Sequence, residues 1–207
     1  MADYTFFFNP MSRAQIARWA LHETGADYDP VMVPWDDKPE ALTEANAMAK
    51  VPTIVHHREG ADRVVTEAAA ICHYLAEAEA PKLLPKEDEK ADYFRWLFFA
   101  AGPLEQAITA KSLGWSVGDD QQAMAGFGSY ERTVDALERW FSTRECVCGT
   151  RFTMADVYVG SAVDWGLRFG SLPELDAFTS YRDRISERDA YRAAKAIDGE
   201  LIANMRA

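Results

Sequence analysis

No stretch of this chain comes near the roughly 20 uninterrupted apolar residues that a bilayer-spanning helix needs, and nowhere does it carry a block of Lys and Arg. The first absence removes a helical membrane span. The second makes nucleic acid and anionic membrane surfaces poor partners, because both are held by clustered cations. The charge imbalance runs the other way. Asp and Glu number 33 against 22 Lys and Arg over 207 residues, and 13 of those acids against 6 of the bases precede residue 81. An anionic ligand must therefore be held by a few local donors. The opening Met1-Ala2-Asp3-Tyr4 has neither the basic region nor the apolar core of a secretory signal, so a cytoplasmic location is the default expectation.

Cysteine is scarce as well. Cys72, Cys146 and Cys148 are odd in number and cannot all pair within one chain. Cys146 and Cys148 stand one residue apart, the wrong spacing for a CxxC redox pair and too few ligands for zinc. They read as reduced and structural. The four histidines, His22, His56, His57 and His73, show no metal-ligand spacing, and no metal is expected.

What the chain does have is apolar material, 48% of residues with 12% aromatic, enough for one large core or two modest ones. It follows two different grammars. Up to residue 79, short β-rich runs alternate with amphipathic segments: 4–8, a helical stretch over 12–23, a strand over 28–33, then the strand-like pair 53–56 and 63–65 about the turn 59–62. A helix bearing Ile71, Leu75 and Ala78 on one face follows. This order predicts βαβ, a connecting helix, then ββα, in one small α/β layer with a parallel crossover and a hairpin. The two prolines of 80–88, Pro81 and Pro85, mark a linker. From 89 to 207 the pattern is helical, with Tyr93, Trp96, Leu97, Ala100, Ala101 and Leu104 on one stripe that Gly102-Pro103 should kink. Further stripes run through Val134, Leu137 and Phe141, through Tyr158, Ala162, Trp165 and Phe169, and through Tyr181 and Ile185.

Four local signatures fall in order along this frame. The first is Phe7-Phe8-Asn9-Pro10-Met11-Ser12-Arg13-Ala14-Gln15, a strand turning directly into a helix. Ser12-Arg13-Ala14-Gln15 also has the spacing of a capping box. The second is Lys50-Val51-Pro52-Thr53 at a strand entry. The third is Val65-Thr66-Glu67-Ala68-Ala69-Ala70-Ile71, with an acid opening a helix. The fourth is Phe152-Thr153-Met154-Ala155-Asp156, where Thr153 and Asp156 are spaced as a capping box and Phe152 as its hydrophobic staple. The fourth has a folding role, so Asp156 is no candidate for a catalytic acid.

Together these four resemble the cytosolic glutathione S-transferases of bacterial type. The resemblance covers the whole chain and implies a thioredoxin-like α/β glutathione-binding domain over 1–79 and an all-α domain over 89–207. In that family the thiol-activating hydroxyl lies in the first strand-to-helix turn. Phe7 stands where some members have tyrosine and cannot donate, which leaves Ser12 or Asn9 as the expected catalytic group. The resemblance further implies a cis Val51-Pro52 bond, with the Val51 backbone pairing the cysteinyl part of glutathione as an added strand. Lys38 and Lys50 would take the glycine carboxylate. Glu67 would hold the α-amino group, and the first amides of its helix would hold the α-carboxylate. Ala68 departs from the usual serine and costs a bond of about 1 kcal/mol.

The implied activity is attack of the glutathione thiolate, as co-substrate, on a small apolar electrophile in a pocket between the halves. Phe8, Met11, Phe99 and Trp115 are its candidate lining. A homodimer is implied too. Two other functions use the same frame: a glutathione-dependent disulfide reductase or peroxidase, and a non-catalytic binder of glutathione or apolar ligands.

Overall fold

The computed structural model describes residues 2–206. Four strands form one mixed sheet in the order β2-β1-β3-β4. β1 (Tyr4–Phe8) pairs in parallel with β2 (Tyr28–Met32) and antiparallel with β3 (Thr53–His56), which pairs antiparallel with β4 (Arg63–Thr66). The βαβ unit and the hairpin predicted from the sequence are both present. Pro30 sits in β2, an edge strand, where its missing N–H breaks no inner ladder.

β1 is buried on both faces and shows why its run of aromatics is needed. Phe7 packs with Val33 and with Leu42 of α2 (Glu40–Ala45). Phe6 and Phe8 stack with ring centroids 5.4 Å apart and receive the Arg18 guanidinium, 4.3 Å from the Phe8 ring centre. Arg18 belongs to α1 (Ala14–Thr24), which Gly25 ends in the left-handed conformation at φ 71°. α1 packs on α3 (Ala68–Glu79), whose buried residues are Ala68, Ile71, Cys72, Leu75 and Ala76.

The chain divides into two compact units, and the division is not a single cut at the linker. The first unit holds residues up to Leu84 together with those from Glu187 onward. Its late member is α9 (Asp189–Arg206), which packs on α1 and carries the buried partner of Arg18: Arg18 Nε donates to Asp198 Oδ1 at 2.9 Å.

The second unit, Pro85–Ser186, is helical. α4 (Lys90–Phe99) runs through a π turn over Ala100–Leu104 into α5 (Glu105–Ser112). Gly102-Pro103 thus loosens the helix without ending it, since a π turn accommodates the amide that proline lacks. Tyr93, Trp96, Leu97, Ala100 and Leu104 are buried as expected, whereas Ala101 is exposed. α6 (Tyr130–Phe141) buries Val134, Leu137 and Phe141. α7 (Met154–Arg168) is central, with α4 and α8 (Asp176–Ser186) packed on it. Gly160 lets α8 approach, because a Cβ there would stand 2.4 Å from Ile185 Cδ1. Of the stripe expected through Tyr158, Ala162, Trp165 and Phe169, Tyr158 is buried and Ala162 and Trp165 are half-buried, and only Phe169 is exposed. The helix is enclosed around Val157, Gly160, Ser161, Val163 and Asp164, and Phe169, past its end, is 69% exposed.

The Thr153–Asp156 capping box forms as the sequence predicts, and Asp156 also accepts from Val147 N at 2.7 Å and Tyr181 OH at 2.9 Å. Burial nonetheless pushes the Asp156 carboxyl upward from its ordinary pKa.

Candidate active site

Strand register decides which segments meet. Phe7 pairs with Thr53 and Thr53 with Thr66, so these three residues stand abreast across the sheet, with Val31 beside Phe7. The chain after Phe7, before Thr53, after Thr66 and after Val31 therefore leaves the sheet at one end. All glutathione-binding candidates in the first unit, Lys38, Lys50, Val51, Pro52, Glu67 and Ala68, follow from those segments, as do Asn9, Met11 and Ser12.

The turn from β1 into α1 is closed by short polar bonds. Asn9 is wholly buried; its Oδ1 accepts from Met11 N at 2.9 Å and its Nδ2 donates to Val33 O at 2.9 Å. Ser12 is half-buried. Its hydroxyl donates to the Asn9 carbonyl at 2.7 Å and accepts from Ala14 N at 3.1 Å, while Ser12 N donates to the same carbonyl at 3.1 Å. The expected Ser12–Gln15 capping box does not form. Gln15 instead sends Nε2 to Pro10 O at 2.6 Å, because the turn keeps residues 9–13 out of the helix and brings the Pro10 carbonyl under Gln15. Both side-chain ends of Asn9 and the Ser12 hydroxyl are engaged in holding the turn; the two candidate donors differ in exposure, Asn9 being wholly buried and Ser12 half-buried.

The Val51–Pro52 bond is cis. Thr53 Oγ1 donates to Lys50 O at 2.8 Å, and Asn46 Nδ2 reaches both Lys50 O at 3.1 Å and Thr53 Oγ1 at 3.0 Å, so the approach to β3 is fixed from below. The half-buried Val51 makes no backbone hydrogen bond to other described residues, and Lys50 is exposed. Lys38 lies with Nζ 5.3 Å from the Trp35 ring centre, a cation–π contact. Trp35 had no role in the sequence reading. Its only local signal is an aromatic three residues before a lysine.

Glu67 caps α3 with φ 63° and ψ 114°, a conformation unfavourable for any residue with a Cβ. It is exposed, while Ala68 is 8% exposed. Thr66, which precedes this cap, stands abreast of Thr53 in the sheet, so α3 begins at the same end.

The candidate lining residues diverge. Phe8 is 4% exposed beneath Arg18, so it is core and not lining. Met11 is 42% exposed on the turn. In the second unit Phe99 packs edge-on against Trp96 at 4.8 Å, and Trp115, 66% exposed, borders a cavity of about 370 Å³ with Lys111, Phe127 and Tyr130. Among the described residues no group of His, Cys, Asp and Glu is assembled that could hold a metal ion.

Comparison with known proteins gives a consistent picture. The family model described as glutathione S-transferase, N-terminal domain, matches residues 10–78, and that of the glutathione S-transferase C-terminal domain matches residues 48–189. The glutathione S-transferase GstA of Escherichia coli O157:H7 is 23% identical over 201 residues, 93% of this chain and 98% of that protein. The glutathione transferase URE2P5 from Phanerochaete chrysosporium has the same fold at a TM-score of 0.80 and 21% identity, over 100% of this chain and 99% of that one. A sphingomonad glutathione S-transferase solved in complex with glutathione gives 0.73 and 25%, over 94% and 98%.

Proposed function

Because the chain belongs to the glutathione S-transferase family, we propose that it binds glutathione at this end of the sheet and joins its sulfur to a small, largely apolar electrophile. The observation that carries the reading is the alignment of Phe7, Thr53 and Thr66, which gathers the Ser12 turn, the unpaired Val51 edge and the Glu67 cap. The Val51 N–H and C=O pair with the cysteinyl residue as an added strand. Glu67 accepts from the α-amino group, the α3 amides hold the α-carboxylate, and Lys38 or Lys50 neutralises the glycine carboxylate.

A thiol of pKa about 8.5 is only a few per cent ionised at neutral pH. Lowering it by two units takes about 2.7 kcal/mol of selective anion stabilisation. A hydrogen bond to the thiolate supplies ~1.5–3 kcal/mol and the N-terminus of α1 ~0.3–1. Ser12 must turn its hydrogen away from the Asn9 carbonyl to give that bond. The bond left behind is worth ~0.5–1.5 kcal/mol, less than the one gained. The Asn9 carbonyl also keeps the Ser12 N–H, so no buried acceptor is orphaned. The thiol proton leaves to solvent, the sulfur lone pair forms the S–C bond, and the leaving group departs with its electron pair. Met11 is the proposed apolar contact for the electrophile.

By the same likeness we take the protein for a cytoplasmic homodimer acting in detoxification. Conjugation of chlorodinitrobenzene, assayed beside reduction of hydroxyethyl disulfide, tests the chemistry. Activity on the disulfide alone would move the protein to the reductases. The engaged Ser12 hydroxyl and the missing hydroxyl at Ala68 favour a second reading, a binder without turnover. Calorimetric binding of glutathione with neither activity is the result that reading requires.

A further inference from the structure

Four side-chain contacts tie α1 to α9 and the residue preceding it. Arg188 donates from Nε and Nη2 to the two Glu23 oxygens at 2.6 and 2.7 Å. The Tyr191 ring meets Trp19 edge-on at 5.0 Å. Arg18 pairs with Asp198 at 2.9 Å, and Lys195 Nζ donates to Gln15 Oε1 at 3.0 Å. The first three end on α1 and anchor it. The fourth continues, because the same Gln15 amide donates from Nε2 to the carbonyl of Pro10 at 2.6 Å, inside the turn that carries Ser12.

An amide side chain can present oxygen or nitrogen to either side. Gln15, 8% exposed, faces the Pro10 carbonyl, which accepts only a donor. A flipped amide would set two oxygens against each other. The Lys195 ammonium removes the choice: it holds Oε1 on its own side by a charge-assisted bond and so commits Nε2 to Pro10. The turn is then pinned twice by amides, by Asn9 to the end of β2 and by Gln15 toward α9. The Ser12 hydroxyl hangs between these pins.

We propose that Lys195 is a positioning residue for the thiol-activating turn, acting through Gln15 and Pro10, so that a helix contributed from the far end of the chain sets the aim of Ser12. The proposal rests on the glutathione reading for its catalytic consequence and on geometry alone for its effect on the turn.

Four variants of the full protein separate the cases. Lys195→Met keeps the aliphatic stem and loses the charge; Lys195→Arg keeps charge and donor. Gln15→Glu keeps the partner of Lys195 but has nothing to donate to Pro10. Arg188→Gln loosens α9 at the other end of α1. In ligand-free protein, hydrogen exchange at the Ser12 and Ala14 amides should quicken about tenfold in Lys195→Met and Gln15→Glu, and stay at the wild-type rate in Lys195→Arg and Arg188→Gln. In the conjugation assay the first two should lose about tenfold in kcat/KM with the glutathione KM within about twofold. The midpoint of their pH profile should rise by about half a unit as the thiolate loses its donor. Wild-type exchange in Lys195→Met, or wild-type behaviour of Gln15→Glu, overturns the proposal. Quickened exchange in a protein that neither binds nor conjugates glutathione leaves the relay standing and removes the glutathione reading instead.

Discussion

The Ser12 hydroxyl oxygen lies 2.7 Å from the carbonyl oxygen of Asn9 and also accepts the Ala14 amide at 3.1 Å, so the oxygen is fixed while its hydrogen is free to turn about one bond. Re-pairing with a sulfur anion gives up the bond to the Asn9 carbonyl but costs little entropy, because only that hydrogen has to turn. Ser12→Ala should therefore lower kcat/KM for chlorodinitrobenzene about tenfold or more, with glutathione affinity changed less than about twofold. Steady-state kinetics and calorimetry on the same preparation check both halves.

Glu67 combines strain with a binding role, and two substitutions pull these apart. Glu67→Ala removes the carboxylate and keeps the Cβ that resists φ 63°; it should weaken glutathione binding about tenfold with no gain in stability. Glu67→Gly should weaken binding as much while recovering about 1 kcal/mol of backbone strain. The pair is read by calorimetry and thermal melting. A melting temperature for Glu67→Gly below that of Glu67→Ala contradicts the strain argument.

In the second unit Glu89 and Arg151 form a fork-to-fork pair, with Arg151 Nε 3.0 Å from Glu89 Oε1 and Nη2 on Oε2. The Arg151 hydrogen bonds hold the Glu89 carboxyl below its ordinary pKa. A depressed acid binds fewer protons folded than unfolded, so its contribution is complete above the unfolded carboxylate value near 4.5 and is lost as pH falls through the lower folded value. Urea unfolding as a function of pH should show wild-type stability falling below about pH 4.5. Glu89→Gln should be about 1–3 kcal/mol less stable at neutral pH and flatter in that acid window.

Asp156 satisfies the amides of Val147 and Thr153 and the hydroxyl of Tyr181 from a fully buried position. Asp156→Ala leaves three buried donors unmatched and removes the α7 capping box. A loss of roughly 3 kcal/mol or more in urea unfolding is expected, with glutathione affinity of the folded protein unchanged.

How much of this was legible in the sequence depends on how local the cause is. The βαβ and ββα order follows from apolar alternation and turn residues. The Thr153–Asp156 box follows from a three-residue spacing, and both appear as expected. The Ser12–Gln15 spacing is equally suggestive and misleads, because the partner of a short side chain is chosen by the backbone path, and Pro10 bends that path so that Gln15 meets a carbonyl. Phe8 reads as pocket lining from its place beside the turn, yet it alternates onto the Arg18 face. The Lys195–Gln15 contact joins residues 180 positions apart. No local pattern announces it. The same holds for the assignment of α9 to the first unit, which rests on Arg18, Trp19 and Glu23 finding partners at the other end of the chain.

The central claim is that this turn makes a thiolate of bound glutathione, and its most direct test is an ultraviolet titration of the thiol in the wild-type complex. Ionisation with a midpoint about two units below that of free glutathione, moving back toward the free value in Ser12→Ala, is the predicted result. A bound thiol that ionises at the same pH as the free one contradicts the account.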